Sequence, residues 1–153
     1  MKLIENIINN KKNFVRKRTR PISNGMDSIS NMTIMLKNAS LAGKSNVIVP
    51  HSKMKHAIVE CLKKEGYVRE VSKKVKKRYP VLEIELVYTD KEPKIQEVER
   101  VSKQSRRVYF KMKDIYSVRN GSGLLVLSTP KGILSGKEAR KEQVGGEALF
   151  KLW

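Results

Sequence analysis

The chain has 153 residues, and its 33 Lys and Arg against 15 Asp and Glu give a formal net charge of +18. This positive surplus attracts polyanions, so it favours nucleic acid or an anionic membrane surface as the partner over an acidic protein. A hydrophobic content of 39% is enough to bury a core in one or two small domains, and a single cysteine excludes both an intramolecular disulfide and a cysteine-built zinc site.

Residues 1–25 differ in composition from the rest of the chain. A basic run extends from Lys11 to Arg20, and Pro21 then interrupts any helix. Two interpretations are open: a disordered basic extension that neutralises phosphates, and an organellar transit peptide, which is also basic and poor in acidic residues. Glu5 and the scarcity of serine favour the first interpretation. We therefore predict a basic, disordered N-terminal extension over residues 1–25.

Residues 26–90 predict a first α+β domain. Apolar residues recur at helical spacing over Ser28–Leu41, with Asp27 or the first serine available as the N-cap, so a helix is predicted there. A short strand, Val47–Val49, precedes a second helix capped by Ser52. The residues predicted to form the buried face of this second helix are Met54, Ala57, Ile58, Cys61 and Leu62.

A hairpin is predicted to complete this first domain. Gly66 is placed for a left-handed cap after the second helix, and a strand starting at Tyr67 can pair with the alternating run Leu82–Tyr88. The predicted hairpin tip is basic and consists of Lys73, Lys74, Lys76, Lys77 and Arg78. A linker around Asp90 and Pro93 follows. We expect the helices to cover one face of this short sheet.

Residues 91–153 predict a second domain, which is mostly antiparallel β-structure. The predicted strands are Ile95–Val101, Val108–Phe110, Leu124–Leu127 and Ala148–Trp153. Ser135 and Glu138 have the spacing of a capping box, in which each side chain satisfies a free amide at a helix start, so a short helix to about Glu142 is predicted. The expected fold class is therefore α+β with two small domains.

The sharpest candidate for an RNA contact is the turn that follows the apolar strand Leu124–Leu127. Its candidate residues are Ser128, Thr129, Lys131 and Gly132. Short hydroxyl side chains suit close approach to the shallow minor groove of an RNA helix, which displays 2′-hydroxyls and base edges. The alternative is an ordinary hairpin turn, and the turn taken alone favours that alternative.

Three further segments supply candidate contacts. One connection between predicted strands carries hydroxyls and long cations that can grip phosphates, and its candidates are Ser102, Lys103, Arg106 and Arg107. Lys53 and Lys55 add two cations in the first domain. Gly145, Gly146 and Glu147 form a loop before the last strand, where glycine allows either a positive φ or close approach of another backbone.

The sequence does not show the residue patterns of an enzyme. His51 and His56 are five residues apart, which misses the i, i+4 spacing of helical metal sites, and Cys61 lies on the predicted apolar face of a helix. A run of about 20 apolar residues that could span a bilayer is also missing. We predict no catalytic residue, metal, cofactor or membrane partner. The alternatives are a generic basic nucleic-acid-binding protein and a nuclease, which would need a carboxylate or histidine cluster.

Several motifs, read in order, resemble one known family. They are Met26–Met32, Lys37–Ala39, Val49–Lys55, Glu65–Tyr67, Arg100–Lys103, Arg106–Tyr109, Asn120–Gly123, Leu127–Gly132, Lys137–Arg140, Val144–Glu147 and Trp153. This succession is similar to the small-subunit ribosomal protein family numbered eight, in its bacterial type. It covers about Met26 to Trp153, and the order of the motifs is far more specific than any one of them.

The resemblance implies two α+β domains in tight contact and a structural role in the small ribosomal subunit. Members of the family bind the central domain of the small-subunit rRNA early in assembly, and in some bacteria they repress their own operon's mRNA. The expected partners are therefore this rRNA, neighbouring small-subunit proteins and, as an alternative, an mRNA hairpin. The resemblance also implies that the Ser-Thr turn and the Gly-Gly-Glu loop contact RNA, with Glu147 orienting its loop. The expected location is the ribosome, in a bacterial cytoplasm or an organelle matrix or stroma.

Some positions depart from the usual pattern of that family. Gln104 and Ser105 stand where Pro-Gly is usual, which predicts a longer or looser turn. Pro130 replaces a common serine and removes a hydroxyl and an amide donor from the Ser-Thr turn, and Ser28 replaces a usual proline. Together with the basic extension, these departures favour a divergent bacterium or an organellar ribosome as the source.

Overall fold

The computed structural model describes residues 27–153, and the extension predicted over residues 1–25 lies outside them. The elements in chain order are α1 (Ser28–Leu41), β1 (Asn46–Pro50), α2 (Lys53–Lys64), β2 (Val68–Lys76), β3 (Tyr79–Leu86), β4 (Tyr88–Thr89), β5 (Glu92–Pro93), β6 (Val98–Arg100), β7 (Tyr109–Phe110), β8 (Leu124–Thr129), β9 (Gly132–Ser135), α3 (Gly136–Lys141) and β10 (Gly146–Leu152). Helices and antiparallel sheets occur together, which confirms the α+β class. Among these residues, no helix is long and apolar enough to cross a bilayer.

The helix α1 has the predicted bounds, and its cap explains where it begins. The Asp27 carboxylate accepts the backbone N–H of Ile29 at 3.0 Å and so satisfies an amide that the first helical turn leaves free. Spacing of three and four residues then brings Met32 and Leu36 onto the buried face. Gly43, with φ +69°, lets the chain leave the helix.

The helix α2 has the predicted cap, and its buried face includes the predicted Ile58, Cys61 and Leu62. Ser52 accepts the backbone N–H of Lys55 at 3.2 Å, as expected of an N-cap. Met54, predicted to be buried, is 38% exposed, whereas Val59 is buried. The helix packs against both β2 and β9, so its buried face is wider than the single stripe predicted and includes Val59. Burial, with smaller contributions from nearby carboxylates, raises the pKa of the Cys61 thiol to about 12.

The first sheet is antiparallel and has the strand order β1-β3-β2. Alternation along the central strand β3 sends Leu82, Ile84 and Leu86 to the inner face, where they pack in the core with α1 and α2. Glu83 lies on the outer face, opposite Ile48 of β1, which is 41% exposed. The helices therefore cover one face of this sheet, as predicted.

The turn between β2 and β3 is narrower than predicted. Only Lys77 and Arg78 form it, with φ values of 49° and 70°, while the preceding lysines belong to β2. Positive φ at both central residues is the geometry of a type I′ turn, whose twist matches that of the paired strands. The predicted basic tip is therefore partly strand and partly turn.

The linker predicted around Asp90 and Pro93 is a second small hairpin. Tyr88 lies opposite Pro93 in the β4–β5 pair, and the two turn residues, Asp90 and Lys91, have φ values of 52° and 67°. The Tyr88 hydroxyl also donates to the carbonyl of Lys44 at 2.6 Å, which fastens this hairpin to the end of α1. Local pairing thus replaces the expected open linker.

The second sheet has the strand order β6-β10-β8-β9, and β7 also pairs with β10. The strand predicted over Ile95–Val101 is confined to β6, because the amides of Gln96 and Glu97 donate instead to the carbonyl of Trp153. The strand β9 was not predicted, since its four residues stand between a turn signal and a helix signal. The helix α3 begins with the predicted capping box.

One buried cluster contains residues from both sides of the predicted domain boundary. It joins α1, α2 and the first sheet to Ile95, Leu124, Val126, Leu149, Phe150 and Leu152. A second cluster lies beneath α3 and consists of Ile115, Val118, Leu125, Leu127, Ala139 and Ala148. The boundary predicted between residues 90 and 91 falls at the tip of the β4–β5 hairpin. The division into two domains stays a prediction.

Polar contacts also connect the two halves of the chain. Arg100 donates from Nε to Asp27 Oδ2 at 2.6 Å and from Nη1 to the carbonyl of Leu149. The Tyr67 hydroxyl donates to the carbonyl of Ser122 at 3.0 Å. Burial would raise the pKa of Asp27, but the hydrogen bond and positive charge of Arg100, together with the hydrogen bonds from Ile29 and Ser30, outweigh it and lower that pKa.

We expect Asp27→Asn to weaken the fold mainly at neutral pH. Asparagine caps helices about as well as aspartate, so the variant keeps the cap and loses the charge that Arg100 faces. Losing this charged hydrogen bond should lower the free energy of unfolding by about 2 kcal/mol at pH 7. Because the folded pKa of Asp27 is lowered, its stabilisation is present above the usual pKa of about 4 and is lost as pH falls through the folded value.

Urea denaturation at neutral and acidic pH measures this effect. The matched control is Glu99→Gln, because the Glu99–Lys151 pair is more exposed and should contribute less than about 1 kcal/mol. Equal unfolding midpoints for the wild type and Asp27→Asn at neutral pH would contradict the stabilising role of the Asp27–Arg100 pair.

We expect the double substitution Lys77→Asn with Arg78→Gly to stabilise the protein. Left-handed backbone costs an ordinary residue about 1 kcal/mol, and Asn-Gly is the favoured pair for a type I′ turn. The free energy of unfolding should therefore rise by about 1–2 kcal/mol, as measured by urea denaturation. An unchanged or lower value would mean that this turn has another geometry in solution.

Candidate nucleic-acid interface

Three of the predicted contact segments meet at the start of β10. Glu147 lies opposite Ser128 of β8 on one side and opposite Tyr109 of β7 on the other. Residues distant in sequence therefore form one surface, which we call the Glu147 surface. Its members are Ser102, Lys103, Arg106, Arg107, Ser128, Thr129, Lys131, Gly132, Gly145, Gly146 and Glu147.

The Glu147 carboxylate joins two of these segments. It accepts hydrogen bonds from the hydroxyl of Ser102 and from Nη1 of Arg107, the latter at 2.9 Å. Burial would raise the pKa of Glu147, but these two donors and the charges of Arg107 and Arg100 outweigh it and hold the pKa below its ordinary value. An ionised Glu147 thus orients the 102–107 connection against β10.

Ser102 occupies a supporting position in this surface. It is completely buried, donates to Glu147 and accepts the backbone N–H of Val108 at 3.3 Å. Ser102 is therefore not exposed to make the phosphate contact predicted for it. The neighbouring cations Lys103, Arg106 and Arg107 are exposed.

Gly145 and Gly146 allow two backbones to lie unusually close to the loop before β10. A Cβ atom on Gly145 would lie 2.3 Å from the carbonyl oxygen of Phe110, and one on Gly146 would lie 2.1 Å from that of Ser128. Neither glycine has a positive φ. Of the two reasons for glycine that the sequence left open, the structure therefore supports close approach.

The Ser-Thr turn connects β8 to β9 and is closed by its own hydroxyl. Thr129 Oγ1 donates to the carbonyl of Gly132 at 2.8 Å and accepts the backbone N–H of Lys131 at 3.2 Å. Gly132 has φ +115°, a conformation that favours glycine. Ser128 is half-buried beside the Gly-Gly-Glu loop, whereas Pro130 and Lys131 are exposed at the tip.

The turn between Lys103 and Arg106 is tight, which corrects the longer or looser turn predicted from Gln104 and Ser105. Each flanking residue donates its backbone N–H to the other's carbonyl, at 2.9 and 3.1 Å. Two reciprocal backbone bonds define a two-residue connection without Pro-Gly. The exposed side chains of Lys103 and Arg106 are therefore held on a short, fixed hairpin.

The structure adds two residues that sequence reasoning missed. Tyr109, across from Glu147, is 69% exposed, so an aromatic ring lies on this surface. Lys64, at the end of α2, lines a shallow cleft together with Lys131, whose ammonium pairs with Glu142 at 2.7 Å. Alternation along β7 could have indicated the exposure of Tyr109, but no local pattern places Lys64 beside a turn of the other half.

Lys53 and Lys55 are not brought to the Glu147 surface. They lie at the start of α2, about 16 Å (Lys53) and about 14 Å (Lys55) along the helix from Lys64. Lys53 is exposed, whereas Lys55 is buried, and burial lowers the pKa of its ammonium. These two predicted phosphate contacts therefore belong to another part of the molecule.

The Glu147 surface presents hydroxyl groups and cations that can recognise an anionic partner. The short side chains of the Ser-Thr turn can let a partner approach, and the surrounding lysines and arginines can neutralise phosphates. Within residues 27–153, no three His, Cys, Asp or Glu side chains lie close enough to hold a metal ion.

Comparison with known proteins gives a consistent match. Residues 27–153 match the family model described as ribosomal protein S8. A small ribosomal subunit protein uS8 of Afipia carboxidovorans is 49% identical over 125 residues, which cover 81% of this chain and 95% of that protein.

Two further relatives carry the same name. The uS8 protein of Rhodopseudomonas palustris is 50% identical over 125 residues, covering 81% of this chain and 95% of the relative. That of Erythrobacter litoralis is 42% identical over 127 residues, covering 83% and 97%. These matches confirm the family and the ribosomal location expected from the sequence, and the chain belongs to the ribosomal protein S8 family.

Proposed function

We propose that this protein binds the central domain of the small-subunit rRNA and, as a structural component, assists the folding of that RNA and the assembly of the subunit. The observation that carries the proposal is the convergence of three contact segments on Glu147. Membership of a ribosomal protein family makes rRNA the expected polyanion. Neighbouring small-subunit proteins are the other expected partners.

The geometry of the Glu147 surface favours an RNA helix with an accessible minor groove. Ser128 and Thr129 are half-buried and carry short side chains that can approach 2′-hydroxyls closely. Lys103 and Arg106 lie at the margin, on a fixed turn, where long cations can reach phosphates on either side of the groove. The short groups would then supply preference for RNA shape, and the cations would supply most of the salt-dependent affinity.

The proposed role needs no reaction at this surface. Glu147 is held ionised by Ser102 and Arg107, so its carboxylate serves the fold of the loop. A positioned loop with exposed donors binds by complementarity, because its groups need little reordering when the RNA arrives. An rRNA-folding role follows when binding favours the native arrangement of an irregular helix over its alternatives.

We expect Ser128→Ala with Thr129→Ala to weaken the preference for an irregular central-domain rRNA helix over a perfectly paired duplex of equal length and charge. The substitutions remove the hydroxyls and the Thr129 bonds that close the turn, while leaving every cation in place. Discrimination should fall by about tenfold, equivalent to losing roughly one to two hydrogen bonds, and the salt slope should stay nearly unchanged. A salt titration of binding to both RNAs measures this.

The matched control is Ser117→Ala with Thr89→Ala, which removes two exposed hydroxyls away from the Glu147 surface. This control should bind both RNAs as the wild type does. Equal binding of the two RNAs by the wild-type protein would contradict the proposed function, and an unchanged preference in the Ser128–Thr129 variant would contradict the site.

We expect Gly146→Ala to disrupt RNA recognition through the backbone. Its new Cβ atom would collide with the Ser128 carbonyl, so β10 and the Ser-Thr turn would have to separate. Such overpacking commonly costs about 1–3 kcal/mol of stability. Thermal unfolding and the same RNA titration should show a loss in both, whereas Gly136→Ala, whose nearest neighbour is a side-chain methyl at 3.3 Å, should change both much less. A wild-type result for Gly146→Ala would contradict the close approach.

A further inference from the structure

The tip of the β2–β3 hairpin is a second basic surface, separate from the Glu147 surface. Five of the six residues from Lys73 to Arg78 are Lys or Arg. Lys74 pairs with Glu83, but within the described part of the chain no carboxylate forms an ion pair with Lys76, Lys77 or Arg78. Three neighbouring cations are therefore concentrated at the end of this hairpin.

An exposed aromatic ring lies among these cations. The strand register pairs Lys76 directly with Tyr79, so both side chains lie on the same face of the sheet. That face is the one opposite the helices, because the inner face is defined by Leu82 and Ile84. Tyr79 is 74% exposed, and its ring is accessible to a planar ligand.

The turn keeps its cations at a conformational cost. Lys77 and Arg78 both adopt left-handed backbone, which glycine and asparagine adopt far more easily. The two residues of the Asp90–Lys91 turn also have positive φ values, but their side-chain charges are opposite and cancel. Strained residues persist where the surrounding structure holds them, and they are concentrated at functional sites.

The start of α2 lies near this end of the hairpin. The backbone N–H of His51 donates to the carbonyl of Pro80 at 3.1 Å, so the connection between β1 and α2 runs alongside the end of the hairpin. Lys53 is exposed two residues further on. The same helix has Lys64 at its far end, beside the Ser-Thr turn, so the two basic surfaces lie toward opposite ends of α2.

We propose that Lys76, Lys77, Arg78 and Tyr79 form a second RNA-binding site that stacks an unpaired base on Tyr79 and neutralises the flanking phosphates. An accessible ring flanked by cations is the arrangement by which proteins hold single-stranded RNA. A partner that offers phosphates but no accessible base, such as a fully paired duplex, would use the cations and leave the ring unstacked. The inference deepens the proposed function, because it names a second RNA element for the same protein.

Binding of the full-length chain to a 12-nucleotide oligoadenylate tests the proposal, beside an abasic sugar-phosphate chain of equal length and charge. Tyr79→Ala should weaken oligoadenylate binding by about five- to tenfold, the lower end of the effect of one stacked base. Tyr79→Phe, which keeps the stacking face, should bind within about twofold of the wild type. Binding of the abasic chain should be the same for all three proteins.

The turn variants separate charge from stability. Lys77→Asn with Arg78→Gly should lower the salt slope of oligoadenylate binding by about 1.4, because two phosphate contacts of a single strand are lost while the turn itself relaxes. Asp90→Asn with Lys91→Gly is the matched control: it relaxes the other type I′ turn, leaves net charge unchanged and should leave the slope as it is. An unchanged slope in the first variant would overturn the phosphate role.

A spectroscopic signature tests the stacking directly. The chain has five tyrosines, and the ring resonances missing from Tyr79→Phe identify those of Tyr79. Stacking should shift them upfield when oligoadenylate is added and not when the abasic chain is added. An absence of this shift, or equal binding by Tyr79→Ala and wild type, would overturn the proposal.

The two RNA sites fail independently. Ser128→Ala with Thr129→Ala should leave the Tyr79 shift intact, and Tyr79→Ala should leave the preference for the irregular rRNA helix over the duplex intact. If the wild-type protein shows no Tyr79 shift with oligoadenylate but prefers the irregular rRNA helix, the second site alone is overturned. If the wild-type protein shows the Tyr79 shift but binds the irregular helix and the paired duplex equally, the proposed function alone is overturned.

Discussion

The strand β10 is the constraint on which the rest of the structure depends. It pairs with β6, β7 and β8, so it holds the second sheet together. A register shift between Ala148 and Phe150 interrupts its alternation. Ala148 consequently packs in the cluster beneath α3, while Leu149 and Phe150 both reach the core shared with α1 and the first sheet. One irregularity in one strand therefore lets a single element serve two cores.

The same strand explains why the Glu147 surface is ordered. Its first residues, Gly146 and Glu147, stand between β7 and β8, and the absence of side chains at Gly145 and Gly146 lets those backbones close on them. Glu147 then reaches Ser102 and holds it in the interior. Burial in the core and placement of exposed groups are thus consequences of one strand's position.

Local signals made much of the fold predictable. Helix caps at Asp27, Ser52 and Ser135 have strong sequence signatures, and the structure has each helix where its cap predicts. The errors arose where distant contacts decide. Val59 is buried outside the predicted face because both β2 and β9 pack on α2. The strand around Ile95 is shortened because its neighbours bond to the carbonyl of Trp153. Neither partner can be inferred from nearby residues.

The sequence predicts most residues of the Glu147 surface, but it does not predict how they are arranged. Motifs identified the Ser-Thr turn, the glycine pair and the basic connection, and the strand register brings them together. Sequence could not reveal that Ser102 is buried, that Lys53 and Lys55 lie at the far end of α2, or that Tyr109 stands beside Glu147. Each of these facts depends on pairing between distant segments.

The core shared between the two halves has a kinetic consequence. The contact between Asp27 and Arg100 closes a separation of 73 residues, and β10 joins residues near the end of the described chain to a core begun by α1. Bringing residues so distant in sequence together costs chain entropy before the stabilising contacts form, so proteins dominated by such contacts fold slowly. The helices and the β2–β3 hairpin can form from local contacts, but the shared core is complete only when β10 is in place. Folding of this protein should therefore be limited by the search of that last strand.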